Sequence, residues 1–567
     1  MRAMTDNIQS FADTPPQGYR GGVRRLASRL WRNSNLRASV ILFCILFPLL
    51  LADRPLIIDD WRPVDLKAWI AMVGESAVWA LLGLIPLWTM GRFSHLLYAV
   101  VLPLELVLVC VEWFVRVNFN MILTGAWVGM LFASSPEELK IFGDQYFGFT
   151  FCFCLAAIVT LIVLTEKCML CVRKASVSRW TLVSVLCAFV ALMAIKCWLK
   201  MPFAKIVEFF PTTCLVPDSV RTYREQCLWV RMLKNPQLPA TVRVEQEGRM
   251  PVTGVFVLGE SMTRTHMSLY GYERATTPNE DALRNELVVF GDMVTTDGNT
   301  SAAMRGLFST RTTEHHSDFR YSMSQILKRC GFSVALYSNH RRWDQHYSDE
   351  TFSFAGCDPF LCMSEQGETN HYDGVLLKYL DRSLECATCN RVVFLHLLGS
   401  HFPLPDRYPS DGAPFGTRTE NGVERTPVDH YDNTIWYTDK ILGEVVRKLK
   451  ALHKPTWMIY VSDHGETPSA KGWRTATDND LWEIPFVVWT SPEFNAAYPE
   501  RVAALRRAKD KPLQSDQLLY GLLRFMGVEG LGNAPEEDFL SDSFKPRTPR
   551  LILGGGAIYD PNVPRRD

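Results

Sequence analysis

Blocks of roughly twenty mostly uncharged residues recur before Leu199 and stop there, and a run of that length is what a helix needs to cross a hydrocarbon core of ~30 Å. Composition alone hides this. The 567-residue chain is 47% hydrophobic with formal net charge +0, an average over an apolar first third and a remainder with the mixed composition of a globular enzyme. No basic excess points to nucleic acid. The expected organisation is a basic arm at 1–37, a five-span α-helical membrane domain at 38–199, a bridging segment at 200–250 and a globular α/β domain at 251–567.

The spans are expected at 38–52, 68–90, 93–115, 146–165 and 180–199. The first is short for a full crossing, but Arg37 can snorkel to extend it, and with no small-residue cleavage site behind it the segment reads as an anchor. The arginine-rich arm and the loop carrying Lys167, Arg173, Lys174 and Arg179 fall on one side, which the positive-inside rule makes cytoplasmic. Five crossings then put the globular domain outside, in the periplasm if the membrane is a bacterial inner membrane. An amphipathic segment at 118–145 is expected to lie on the membrane surface, with Ser135, Pro136, Glu137 and Glu138 as a helix start. Glu75, Glu105 and Glu112 interrupt the spans and are candidates for function by their cost alone. The competing reading of Glu112 is an interfacial pair with Arg116; five spans without a visible repeat argue against a transporter.

In the globular domain, apolar β-prone runs at 252–260, 332–340, 391–401 and 457–461 each end in polar or ligand-type residues: Glu260, Asn339 with His340, Ser400 with His401, and Asp463 with His464. Helix-compatible segments at 302–307, 323–328, 373–385 and 434–449 lie between them. That alternation predicts a mostly parallel sheet covered by helices, whose carboxyl edge would gather these residues around one site. Two carboxylates, an imidazole and a hydroxyl suit zinc, with manganese harder to exclude on chemistry. The hydroxyl comes from Thr300 or Ser301, after the Gly298-Asn299 turn and ahead of a helix whose positive end favours phosphate oxygens. Pattern alone does not separate the two, and either could simply cap the helix.

Together GESMTR around Glu260, GNTSAAMRGLFS around Thr300, LHLLGSHFPLPDRYP, YDNTIWYTDKIL and YVSDHGE resemble the bacterial phosphoethanolamine transferases, five-span inner-membrane enzymes with a sulfatase-like periplasmic domain. The resemblance implies a zinc ion held by Glu260, Thr300, Asp463 and His464, and attack by Thr300 on phosphatidylethanolamine. A phosphoethanolamine-threonine intermediate then passes its group to a lipopolysaccharide acceptor, a modification associated with polymyxin resistance. It implies for His401 a second zinc or stabilisation of the reacting oxygens, and for Ser134, Glu138 and Asn339 contacts to the substrate headgroup. Met130 stands where the family has an asparagine. Thr296 and Gly306 replace a cysteine pair found in lipid A-modifying members, and 466–484 lacks their second histidine, leaving Asp478, Asp480 or Glu483 as substitutes. These departures favour a core heptose over a lipid A phosphate as acceptor. The rivals are phosphoglycerol transfer, hydrolysis on the same fold, or a catalytically idle scaffold, against which the retention of all four ligand positions argues. A monomer is expected.

Seven of the 15 cysteines lie beyond the spans, in an oxidising space on this topology. Cys357 with Cys362, Cys386 with Cys389, and Cys214 with Cys227 are the candidate disulfides, leaving Cys330 buried beside its strand. His396, inside an apolar run, reads as a hydrogen-bonded core residue.

Overall fold

The computed structural model describes residues 33–52, 73–74, 76–77, 79–119, 149–173, 219–220, 224, 236–244, 250–315, 320–340, 353–363, 372–385, 389–419, 422–467, 479–552 and 557–562. The chain divides into two compact units, one within residues 1–222 and the other taking in residues 223–567.

The first unit contains helices α1 (Ser34–Ala52), α2 (Ser94–Phe119) and α3 (Phe149–Val172). Among the described residues two helices, Ser34–Leu51 and Ser94–Val115, are long and apolar enough to cross a membrane; 79–90 forms a shorter apolar helical stretch. The expected span at 180–199 lies outside the described residues, as do Glu75, Ser134 and Glu138. The helices of this unit pack closely. Gly83 lies so near α1 that a Cβ would come within 2.7 Å of Leu46 Cδ1. The Tyr98 hydroxyl donates to Gly83 O at 2.6 Å and accepts from Leu87 N at 3.2 Å, satisfying backbone groups at the break in the 79–90 stretch. Glu112 is fully buried.

The second unit is built on a seven-stranded mixed sheet: β1 (Thr253–Gly259), β2 (Leu287–Val289), β3 (Ser333–Ser338), β4 (Phe360–Cys362), β5 (Arg391–His396), β6 (Thr456–Ser462) and β7 (Phe486–Thr490), in the order β2-β7-β6-β1-β5-β3-β4. Strands β6, β1, β5, β3 and β4 run parallel, the first four as their apolar runs predict, whereas β7 is antiparallel to both neighbours. The four expected strands are all present; β2, β4 and β7 were not foreseen. Successive residues of β1 enter opposite cores, Val255 and Val257 on one face and Phe256 and Leu258 on the other. Burial on both faces is why the strand reads as an unbroken apolar run. Each such side chain contributes about 1.5–3 kcal/mol on leaving water.

Register positions the site. Gly259 pairs with Ser462, Leu258 with His396, and Ser338 with His396, so the next residues of β1, β6 and β3, namely Glu260, Asp463 and Asn339, leave the sheet at one edge. Helix α4 (Thr300–Phe308) follows the 295–299 loop, and α5 (Met323–Arg329) and α6 (Leu376–Leu384) fall where helical segments were expected. Helix α7 (Pro427–Lys450) starts earlier than its apolar periodicity suggests, at a capping box in which Thr426 and Asp429 satisfy each other's backbone N–H, with Pro427 in the first turn.

The short bridge between Cys357 and Cys362 does not form: Cys357 carries a free thiol. Asp358 N donates to Val334 O while Cys362 pairs with Ser338, four residues further along β3, so at ~3.3 Å per residue the two cysteines stand well beyond the ~7 Å Cα separation a disulfide tolerates. Cys389 is likewise unbridged, and Cys386, Cys214 and Cys227 lie outside the described residues. Cys330 is a half-buried thiol at the end of α5, pushed up to about 11 by burial.

A buried acid sits away from the site. Glu280 is 2% exposed and neither carboxyl oxygen has a hydrogen-bond partner among the described residues. Burial, then the charges of Asp439 and Asp281, hold it well above the usual carboxylate range, so the folded chain keeps a proton that the unfolded chain releases near 4.5. Stability from this group is present below that value and is lost as pH rises toward the folded value. Glu280→Gln should therefore raise the melting temperature by a few degrees at pH 8 and leave it nearly unchanged at pH 4.5, measured by calorimetry.

Candidate metal and nucleophile site

Glu260, fully buried, follows the last residue of the central strand β1. Its Oε1 accepts from Ser261 Oγ at 2.8 Å and lies 3.4 Å from His464 Nε2; its Oε2 accepts from Thr300 Oγ1 at 3.0 Å. Asp463 Oδ2 is 3.4 Å from the same His464 Nε2, and one donor atom each from Glu260, Asp463 and His464 can be enclosed within 4.8 Å. Asp463 Oδ1 is committed to the backbone N–H groups of Ser261 at 3.0 Å and His464 at 2.7 Å. Its Oδ2 is buried with no hydrogen-bond partner among the described residues. A buried carboxylate oxygen left over in this way costs free energy unless a cation takes it.

Electrostatics agree with that reading. Burial opposes ionisation of Glu260, yet its contact with His464 and the charges of His464, His401 and His340 hold it well below the usual carboxylate range. Burial and then the Glu260 charge push Asp463 up to about 7. Two carboxylates so close in an apolar setting call for positive charge between them, and the donor set of carboxylates, imidazole and hydroxyl fits a zinc-like ion.

The local sequence explains the geometry. Ser261 adopts φ 57°, an uncommon conformation for a residue with a side chain, and this reversal turns the chain sharply after the carboxylate. Gly465 follows His464 because a Cβ there would stand 1.9 Å from Asp480 O. Gly399, at φ 47°, lets the 397–401 loop lie against Glu260, where Ser400 N donates to Glu260 O at 2.9 Å.

The fold distinguishes the two hydroxyls that pattern could not. Asn299 caps α4, its Oδ1 accepting from Ala302 N at 3.0 Å, so neither Thr300 nor Ser301 is needed as a cap. Thr300 faces Glu260, whereas Ser301 is exposed. His401 is half-buried, with Nδ1 2.7 Å from Phe402 O and its ring edge-on to His340 at 6.1 Å. Asn339 Nδ2 donates to Asp373 Oδ1 at 2.9 Å, and Asp373 in turn accepts from Leu398 N and Gly399 N, so Asn339 braces the 397–401 loop. Of the proposed substitutes for the absent second histidine, Glu483 is paired with Arg264 at 3.0 Å and accepts from the Tyr559 hydroxyl at 2.7 Å, Asp480 accepts from Thr265 Oγ1, and Asp478 lies outside the described residues.

His340 and His396 complete the surroundings in a way sequence reasoning did not assign. Their rings stack at 4.0 Å and 9°, with His340 Nε2 3.9 Å from Glu260 Oε2 and 2.8 Å from Leu397 O. His396 is a core histidine as expected, bonded to Ser338 Oγ at 3.2 Å, yet with Glu260 and His340 it also forms a second set of donors close enough for a cation. The available signal was positional: His396 ends β5, and His340 lies two residues past the end of its parallel neighbour β3.

Against known proteins, the sulfatase family profile matches residues 253–528. This chain carries a sulfatase-family domain. Among curated relatives, phosphoethanolamine transferase EptC of Escherichia coli O18:K1:H7 is 29% identical over 350 residues, covering 58% of this chain and 60% of that protein. Phosphoethanolamine transferase CptA of Salmonella typhimurium is 27% identical over 337 residues, covering 56% and 58%. The match thus spans about 60% of the length of such relatives. The C-terminal periplasmic domain of EptC from Escherichia coli, solved in complex with Zn, superposes on the sulfatase-family domain with TM-score 0.51 at 25% identity, covering 57% of this chain and 95% of that one. The integral membrane protein lipooligosaccharide phosphoethanolamine transferase A from Neisseria meningitidis shares the fold over 90% of this chain and 98% of its own, with TM-score 0.63 at 20% identity.

Proposed function

We propose that this chain is a zinc-dependent phosphoethanolamine transferase, anchored in a bacterial inner membrane with its sulfatase-family domain in the periplasm, that moves the headgroup of phosphatidylethanolamine to lipopolysaccharide. The observation that carries the reading is the Thr300 hydroxyl, 3.0 Å from Glu260 Oε2 within the buried carboxylate and imidazole cluster. Relatives named as phosphoethanolamine transferases supply the substrate class.

Glu260, Asp463, His464 and Thr300 would hold the zinc ion. When bound, it supplies Lewis acidity that stabilises the threonine alkoxide and polarises the phosphoryl group. Glu260, ionised and hydrogen-bonded to Thr300 Oγ1, orients the hydroxyl for in-line attack on phosphorus. Phosphorus gains the Thr300 oxygen and loses the diacylglycerol oxygen, which leaves with a proton. The acceptor oxygen then displaces Thr300 from phosphorus and surrenders its proton, so the kinetics are ping-pong. His401, whose charge acts on Glu260, would stabilise the entering and leaving oxygens. The departures at Thr296 and Gly306 favour a core heptose as acceptor.

The test is a choice of donor. Zinc-loaded full-length protein incubated in vesicles of phosphatidylethanolamine should gain one phosphoethanolamine by intact-mass spectrometry and release diacylglycerol. Vesicles of phosphatidylglycerol should leave its mass unchanged. An adduct formed only from phosphatidylglycerol would replace the reading by phosphoglycerol transfer, and phosphate release without an adduct would replace it by hydrolysis.

A further inference from the structure

One helical turn of α7 ties down the loops around the site. The Tyr431 hydroxyl donates to Ser261 O at 2.8 Å and accepts from Thr263 N at 2.8 Å. Asp432 accepts from His266 Nδ1, the Tyr272 hydroxyl and Arg274, at 2.8, 3.1 and 2.8 Å. Asn433 accepts from Phe415 N and donates to Phe415 O at 3.0 and 2.9 Å, and Thr434 shares a 2.7 Å hydrogen bond with Ser400 Oγ. Tyr431 is the member nearest the chemistry in this network: a single residue, Ser261, links it to both carboxylates.

Ser261 holds Asp463 Oδ1 with its N–H at 3.0 Å and Glu260 Oε1 with its Oγ–H at 2.8 Å. It does both only because its backbone is turned to φ 57°, which an L-residue leaves readily unless its surroundings hold it. Its carbonyl is held by Tyr431 from one side, and Thr263 N, two residues on, is held by the same oxygen. Tyr431 is itself fully buried, with the His266 ring edge-on against it at 5.3 Å.

We infer that Tyr431 is a positioning residue for the metal-binding carboxylates, acting through Ser261. The inference rests on the function proposed above for this site. Without the hydroxyl, Ser261 relaxes toward ordinary φ, its N–H swings off Asp463, and the Glu260 carboxylate loses the hydrogen bond that sets its rotation. Among the described residues the Tyr431 hydroxyl bonds only to backbone groups, Ser261 O and Thr263 N, so its loss should leave lipid binding unchanged.

The experiment compares full-length wild type, Tyr431→Phe and Val445→Ala. Val445 lies about four turns further along α7 in the same core, so its truncation destabilises the same helix without reaching the site. Tyr431→Phe should lower kcat and zinc affinity by roughly 10- to 100-fold, as losing a hydrogen-bonding neighbour of metal ligands does, with KM for phosphatidylethanolamine within about 3-fold. Val445→Ala should lower the melting temperature while keeping wild-type kcat and zinc affinity. Wild-type zinc affinity and kcat in Tyr431→Phe would overturn the inference, and so would an equal loss in Val445→Ala, which would make the effect one of stability. If wild type transfers no phosphoethanolamine, the proposed function fails, and the zinc titration still decides the role of Tyr431.

Discussion

Thr300→Ala is expected to lower transfer by at least ~10⁴-fold while leaving the fold intact, because a lost nucleophile removes the covalent route altogether. The substitution is structurally mild. Asn299 remains the cap of α4, alanine is the better helix former at that position, and the lost contact is a single hydrogen bond to Glu260. The melting temperature should stay within about a degree or two, since one such bond contributes about 1 kcal/mol. Intact-mass spectra with phosphatidylethanolamine should show the adduct on wild type and none on Thr300→Ala. Ser301→Ala, one residue on and exposed, should form the adduct normally. An adduct that persists in Thr300→Ala and vanishes in Ser301→Ala would reassign the nucleophile.

Glu260→Gln should weaken zinc binding by at least ~100-fold, more than the loss of a ligand's neighbour, and transfer should fall with it. Among the described residues Glu260 is the one group that touches Thr300, Ser261 and His464 together, and its charge is what the histidines hold in place. A pH signature separates this from simple misfolding. In the metal-free wild type Asp463 is pushed up to about 7, so protons compete with zinc and affinity should rise with pH through 7, falling about tenfold per pH unit below it. Part of that elevation is repulsion from Glu260. Removing the charge should return Asp463 toward the ordinary carboxylate range and move the pH dependence of zinc binding to lower pH. Zinc titrations from pH 5 to 8 on both proteins measure this; superimposable curves would exclude Glu260 as a ligand.

Much of the sulfatase-family domain was legible in the chain because its central strands are buried on both faces. Such strands are nearly unbroken apolar runs, and the candidate ligand residues sit where the runs stop, as at Glu260 and Asp463. The antiparallel β7 escaped notice since its apolar run, 486–490, ends in no such residue and its direction depends on partners far away in sequence. The start of α7 was missed because its first turns bury polar side chains, Asp429, Asp432 and Asn433, that serve neighbouring loops and break the apolar periodicity. The expected disulfide between Cys357 and Cys362 failed for a related reason. Nearness in sequence says nothing of separation once an extended edge strand lies between.

What the sequence by itself determined was the identity and order of the groups: an apolar first part, strands closed by carboxylates and histidines, and a hydroxyl at a helix start. These follow from short-range pattern, where burial and turn chemistry act on neighbouring residues. Only the tertiary structure decided which hydroxyl faces Glu260, that His340 and His396 stack beside it, and that Tyr431 holds Ser261 in its reversed backbone. Each of those is a contact between residues 40 or more positions apart, or a choice between adjacent residues made by such a contact. Packing of whole elements sets those distances, and no local pattern encodes them.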